Sequence, residues 1–362
     1  MIISRIDKMN KEEKVCRRRR TAGRMLIVFM LLMVSVFSLS SCGKDKDEEE
    51  GDIVFTFAKN PISLGEVYIY AETVREDYEL TYGKDVWNMT ITMQDGTKEN
   101  MEAVTRKDII DAIVRVKVLN AISKNYGIEL TETEIATEKN KADIFFNRLT
   151  DDQLEKMQIT ENLVENVYCE NLLATKVYDK LVEDAGIEIS DEEARETTFY
   201  DMFFAFYSED DKGNIIEVTD LRKQEQYNKA LQAYKTLVSP VSEEGGNIES
   251  LSAYYNLEYS KYYTMTPKEI KEEFGEEIYD DLYQLDDGSY SLVIETEYGY
   301  HIFYMKYLTD PDATAARKKE LTLAAEEKFF AAKFPAWQRT IDADYSYVKS
   351  VNMDVYNNIT FK

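Results

Sequence analysis

Cysteine is nearly missing from this chain of 362 residues, and beyond Cys42 only Cys169 remains. That excludes a disulfide framework or a thiolate zinc site in the downstream sequence. Cys169 lies in an apolar helical pattern, which predicts a buried and unreactive thiol. Histidine is scarcer still, with His301 standing alone. Positive charge is also in deficit. Residues 1–41 hold nine basic and three acidic groups, so the remaining 321 residues carry 35 basic against 66 acidic groups, a net charge of −31. A field of that sign repels phosphate backbones and anionic headgroups, so nucleic acid is excluded as a partner and basic or unfolded polypeptides are favoured. The apolar run 25–39 has 15 residues, whereas a bilayer core needs about 20.

What surrounds that run gives the chain an address. Arg17, Arg18, Arg19, Arg20 and Arg24 precede it, and small Ser40 and Ser41 lead into Cys42. This is the basic, apolar and small-residue order of a secretory signal. The stretch Leu39-Ser40-Ser41-Cys42 resembles the bacterial lipobox, whose cysteine receives a diacylglyceryl group and becomes the new N-terminus. The resemblance implies an extracytoplasmic chain on the cell membrane, anchored through lipid on Cys42. Two acyl chains anchor stably where one does not; a plain transmembrane anchor is the weaker alternative. Residues 43–52 contain no apolar side chain and read as a solvated acidic tether.

From residue 53 to 197 the texture is mostly helical. A short strand over 53–57 leads to Ser63 and Glu66 at capping-box spacing, predicting a helix over 64–82. A second helix is expected over 107–126, with Ile109, Ile110, Ile113, Val116, Leu119 and Ile122 on one stripe. Gly127 supplies its left-handed end, and Thr131 with Glu134 opens the next. A similar punctuation, Gly186 followed by Ser190 and Glu193, predicts that another long helix starts there. Between the two, 160–183 carries Leu163, Val167, Leu172, Leu173, Val177 and Leu181.

The aromatic run 199–207 suits a buried strand. A turn over 210–214, a helix over 221–237, a short helix to 255 and a strand over 258–264 follow. Thr266, Pro267 and Glu269 then cap a helix whose inner face is Ile270, Phe274, Ile278, Leu282 and Leu285. Strands over 290–295 and 300–308 complete a compact α+β domain over 198–309. The rest, 310–362, is a helix over 313–340 and an irregular or strand-like tail, with Phe334 and Trp337 placed to dock it on the helical domain.

The passage Leu285-Asp286-Asp287-Gly288-Ser289-Tyr290-Ser291, followed by Thr296-Glu297-Tyr298-Gly299-Tyr300-His301-Ile302, resembles the C-terminal half of parvulin-type peptidyl-prolyl isomerase domains. With the lipobox, the helical N-terminal domain and the returning helix, the chain resembles secreted foldase lipoproteins of the PrsA and SurA type. The resemblance implies an α+β architecture: a SurA-like helical chaperone domain completed by the C-terminal helix, plus a parvulin-like βα3βαβ2 domain. It implies His301 as the catalytic candidate, and Phe274, Ile278 and Met202 or Phe203 as substrate-binding candidates, with no cofactor and no metal. The departures are specific. The family's first histidine, on its opening strand, is replaced by Met202 or Phe203 depending on alignment. Its Cys or Asp after the short helix has no clear counterpart, Glu258 being the nearest carboxylate.

Three functions fit. The first is a membrane-anchored foldase for secreted polypeptides whose prolyl isomerase activity is weak or lost. The second is a non-catalytic holdase of the same architecture. The third, a solute-binding or structural envelope lipoprotein, is disfavoured because no alternating parallel-strand pattern is present.

Overall fold

The structure, a computed structural model, describes residues 51–93, 96–207, 218–239 and 247–361. The signal segment, Cys42, most of the tether and the turn at 210–214 lie outside the described residues. The chain divides into two compact units, one running to Gly186 and resuming at Lys328, the other Ile187–Glu327. No helix among the described residues is long and apolar enough to cross a membrane.

In the first unit, β1 (Ile53–Phe57) and β2 (Asn60–Ser63) form an antiparallel hairpin that feeds α1 (Leu64–Tyr82). The Ser63 hydroxyl accepts from the Glu66 amide, which is why the helix starts there. A hairpin of β3 (Thr90–Thr92) and β4 (Lys98–Asn100), not anticipated from sequence, leads into α2 (Met101–Ile122). Asn100 caps α2, so it begins six residues before the expected 107, and its last turn tightens to a 3-10 helix over Ser123–Tyr126. Gly127, at φ 66°, ends it. Helices α3 (Glu132–Phe146), α4 (Asp151–Met157) and α5 (Glu161–Ala185) follow, the first two opened by reciprocal capping boxes. The apolar stripe of α2 lies at 7% exposure or below. Its second half, Val116, Leu119 and Ile122, packs with Val177 and Leu181 of α5 and with Phe330, Phe334 and Trp337 of the C-terminal helix α10 (Pro311–Ile341). The tail is two single helical turns, Tyr347–Ser350 and Met353–Tyr356, with a single bridge from Val351 to Phe55.

The Gly186 signal does not start a long helix. Ser190 and Glu193 do make reciprocal hydrogen bonds, but only turns follow before β5 (Thr197–Ala205). The cap is local, and the β-branched and aromatic run behind it belongs to the sheet. After β5 come α6 (Asp220–Leu237), α7 (Ile248–Tyr254), β6 (Lys261–Met265), α8 (Pro267–Phe274), α9 (Glu276–Leu282), β7 (Ile294–Glu295) and β8 (Gly299–Tyr307). The sheet is antiparallel in the order β6-β5-β8-β7. The expected single helix beyond Thr266 is two, because Gly275 at φ 91° breaks it. Among the described residues two helices, not three, separate β5 from β6. One face of the sheet carries Met202, Phe204 and Ile302 against Ala230, Ala233 and Ile248. The other carries Phe199, Phe303 and Met305 against Ile270, Ile278 and Leu282.

Candidate functional site

The site grows from the pairing of β5 with β8. Phe203 stands opposite His301 and Asp201 opposite Phe303, and strand alternation puts all four side chains on one face. His301 is 7% exposed and Asp201 3%. The His301 Nδ1 lies 2.9 Å and 3.0 Å from the two carboxylate oxygens of Asp201. On its other side, Nε2 lies 3.2 Å from the Thr296 hydroxyl in the β7–β8 turn. The imidazole stacks against Phe203 at 4.4 Å between centroids and against Phe303 at 5.4 Å. Burial pushes the Asp201 carboxyl up from the ordinary range, while His301 and Lys261 act in the opposite direction. Both ring nitrogens of His301 are therefore engaged.

Around this buried pair lies a half-buried aromatic surface. Phe274 meets Phe199, Tyr263 and Phe303 edge to face at centroid distances of 5.6, 5.2 and 5.8 Å. Tyr263 carries the Lys261 ammonium 4.9 Å from its ring centre. Phe203, Tyr207, Tyr259, Tyr263 and Phe274 are all of intermediate exposure. The Phe203 amide donates to the Ser260 hydroxyl at 2.8 Å, tying this surface to the β6 edge.

The structure thus brings His301, Phe203 and Phe274 to one face. Ile278 lies on the same side but in the core, 5% exposed, beneath the surface. Met202 is a correction: it is fully buried on the opposite face, under α6 and α7, so parity removes it from any surface that includes His301. Neither it nor Phe203 bonds the histidine. The opening-strand residue that does is Asp201, which the sequence reading passed over. Its signal was a carboxylate amid the aromatic run 199–207, at the parity of Phe199 and Phe203; a charge in a buried strand requires a partner. Glu258 is exposed and takes no comparable place.

One group of carboxylates has ligand-like spacing, Asp143, Glu161 and Glu165, with oxygens within 4.8 Å of one another. The Lys139 ammonium already sits 2.5 Å from Glu165, and the group carries no metal assignment.

No protein-family model matches the chain. Among curated proteins it is similar to the foldase protein PrsA of Caldanaerobacter subterraneus subsp. tengcongensis, 24% identical over 296 residues that cover 79% of this chain and 83% of the relative. It is also similar to the foldase protein PrsA of Clostridium perfringens strain 13, 24% identical over 300 residues, covering 76% and 80%. Among solved structures it is similar to PrsA from Bacillus subtilis, at 16% identity, covering 86% of this chain and 100% of that one with a TM-score of 0.22. A chain from a study of SurA-like chaperones of Campylobacter jejuni matches at 13% identity, covering 80% and 96%, with a TM-score of 0.24.

Proposed function

We propose that this relative of the PrsA foldases assists the folding of exported polypeptides outside the cytoplasm, anchored to the membrane by lipid on Cys42. Its parvulin-like unit would receive proline-containing segments on the aromatic surface of Phe203, Tyr263 and Phe274. The observation that carries this reading is that surface, built over the Asp201–His301 pair in a chain related to foldases along most of its length.

An X-Pro bond faces an uncatalysed barrier of about 18 to 20 kcal/mol, and an isomerase lowers it by favouring the twisted amide over both planar forms. No nucleophile is required. Aromatic rings that displace water from the imide disfavour its charge-separated planar resonance form, which lowers the barrier to rotation. His301 supports this surface from below without touching a substrate, since both nitrogens are engaged and the buried ring stacks on two phenylalanines. Isomerisation here rests on desolvation alone and is slow. The engagement of His301 is also what favours the second reading, a holdase that uses the same surface for binding only.

The two readings separate in a paired experiment on the chain from residue 43. Isomerisation of a proline peptide and suppression of aggregation of an unfolded client are measured for wild type and Phe274→Ala. The isomerase reading expects a rate above background that falls about tenfold in the variant. Background rates in wild type, with client protection retained, leave the holdase. Loss of both activities in the wild type defeats the foldase proposal.

A further inference from the structure

We infer that Asp201 is a positioning residue that holds His301 as the neutral Nδ1–H tautomer and so fixes the imidazole within the Phe203–His301–Phe303 stack. This follows from a donor count around Thr296. Its hydroxyl oxygen lies 3.3 Å from the amide of Tyr298 and 3.3 Å from that of Gly299, which fills the two acceptor positions of a hydroxyl. It also lies 3.1 Å from the Gly299 carbonyl and 3.2 Å from His301 Nε2, with one proton to give. The Gly299 carbonyl already accepts from the Thr296 amide at 2.9 Å. With both acceptor positions of the hydroxyl taken by the turn amides, a proton on Nε2 would have no acceptor, so every donor is satisfied only when Nε2 is unprotonated and able to accept the hydroxyl proton. The ring's own proton lies on Nδ1 and is donated to the Asp201 carboxylate, both of whose oxygens are within 3.0 Å.

An imidazolium would not fit this count. A proton on Nε2 would need a third acceptor position on Thr296 and would displace one of the two turn amides. A neutral Asp201 donating to Nδ1 leaves the same surplus proton on Nε2. The groups facing the carboxylate are His301 from β8 and Lys261 from the neighbouring β6, with Tyr263 beyond it. Lys261 stands opposite Asp201 in the β5–β6 register, and its charge acts on the carboxylate in the same direction as His301. The consequence for the surface is mechanical. A ring fixed at both nitrogens holds the Phe203 side chain that stacks on it, and Phe203 is half-buried at the proposed substrate face. The bearing on activity rests on the prolyl-peptide reading; the tautomer does not.

His301 is the only histidine in the chain, so a long-range proton–nitrogen correlation spectrum of the uniformly labelled chain contains one imidazole. At slightly alkaline pH the wild type is expected to show a protonated Nδ1 and an unprotonated Nε2. Thr296→Val, which deletes the hydroxyl, keeps that pattern. Asp201→Asn transfers part or all of the proton to Nε2, because an amide can donate to Nδ1 where a carboxylate cannot. Asp201→Glu keeps the charge and keeps Nδ1–H. A wild-type ring protonated at Nε2, or at both nitrogens, overturns the inference, and does so even if the Asn variant fails to fold. A folded Asp201→Asn with the wild-type pattern shows that Asp201 does not select the tautomer and overturns it equally. Isomerase activity recorded on the same samples is a separate readout: its absence in the wild type removes the isomerase reading and leaves the tautomer assignment intact.

Discussion

Gly299 opens β8 outside the left-handed region, yet a Cβ there would lie 2.4 Å from the Phe204 carbonyl oxygen and 2.5 Å from the Phe203 ring. The glycine is needed for the close approach of β5 to β8, not for a turn angle. Gly299→Ala should therefore cost about 2 to 3 kcal/mol in chemical denaturation and shift the His301 imidazole signals, since Phe203 must move. A second single-residue effect lies in the helical unit. Burial and the neighbouring Asp111 push the Asp108 carboxyl up to about 6, against the pull of Lys107. Folding thus favours the protonated acid: that contribution is complete below the ordinary value near 3.8 and is lost as pH rises through about 6. Asp108→Asn should match wild type in unfolding free energy near the lower value and exceed it above neutrality, by about 3 kcal/mol in urea unfolding. His301 was legible because the hairpin sequence around Gly299 is distinctive. Asp201 was not, because its partner lies 100 residues away and only the pairing of β5 with β8 brings the two together.

Between elements, the helical unit is tied by a charge cluster that no single helix announces. Lys117 of α2 lies 2.9 Å from Glu66 of α1 and 2.6 Å from Glu170 of α5. Burial raises the Glu66 carboxyl while Lys117 holds it down, and the two acids raise Lys117 in turn. Lys117→Met strands two carboxylates, one of them 6% exposed, and should cost about 3 to 5 kcal/mol in urea unfolding. Adding Glu66→Gln and Glu170→Gln should recover much of that loss, which a simple packing defect would not permit. Element ends are legible where a cap is chemical: Ser63, Thr131 and Thr266 cap the expected helices. They were misread where a longer context rules. Ser190 makes a cap without a helix, and Gly275 divides α8 from α9 within one continuous apolar stripe, because a periodic pattern persists across a break that keeps its phase.

At the scale of the molecule the chain forms two compact units, and each should show its own melting transition. The first unit is closed by the end of the chain: Phe361 stacks on Trp87 at 4.5 Å, and Arg106 donates to the Ile359 carbonyl at 2.9 Å. Phe361 is 1% exposed, so Phe361→Ala removes a core ring at a cost of about 3 to 5 kcal/mol. Calorimetry should show two transitions, with only one lowered by this variant; a single shifted transition would contradict independent cores. The sequence by itself determined the acid charge, the exclusion of cysteine chemistry downstream of Cys42 and the α+β succession, since each depends on composition or on neighbours within a few positions. Only the tertiary structure decided that Asp201 meets His301 across 100 residues, that Met202 faces away, and that the tail closes the first core. Those depend on strand register and on which distant surfaces meet, and a shift of one residue in register would have exchanged Asp201 for Met202 at the site.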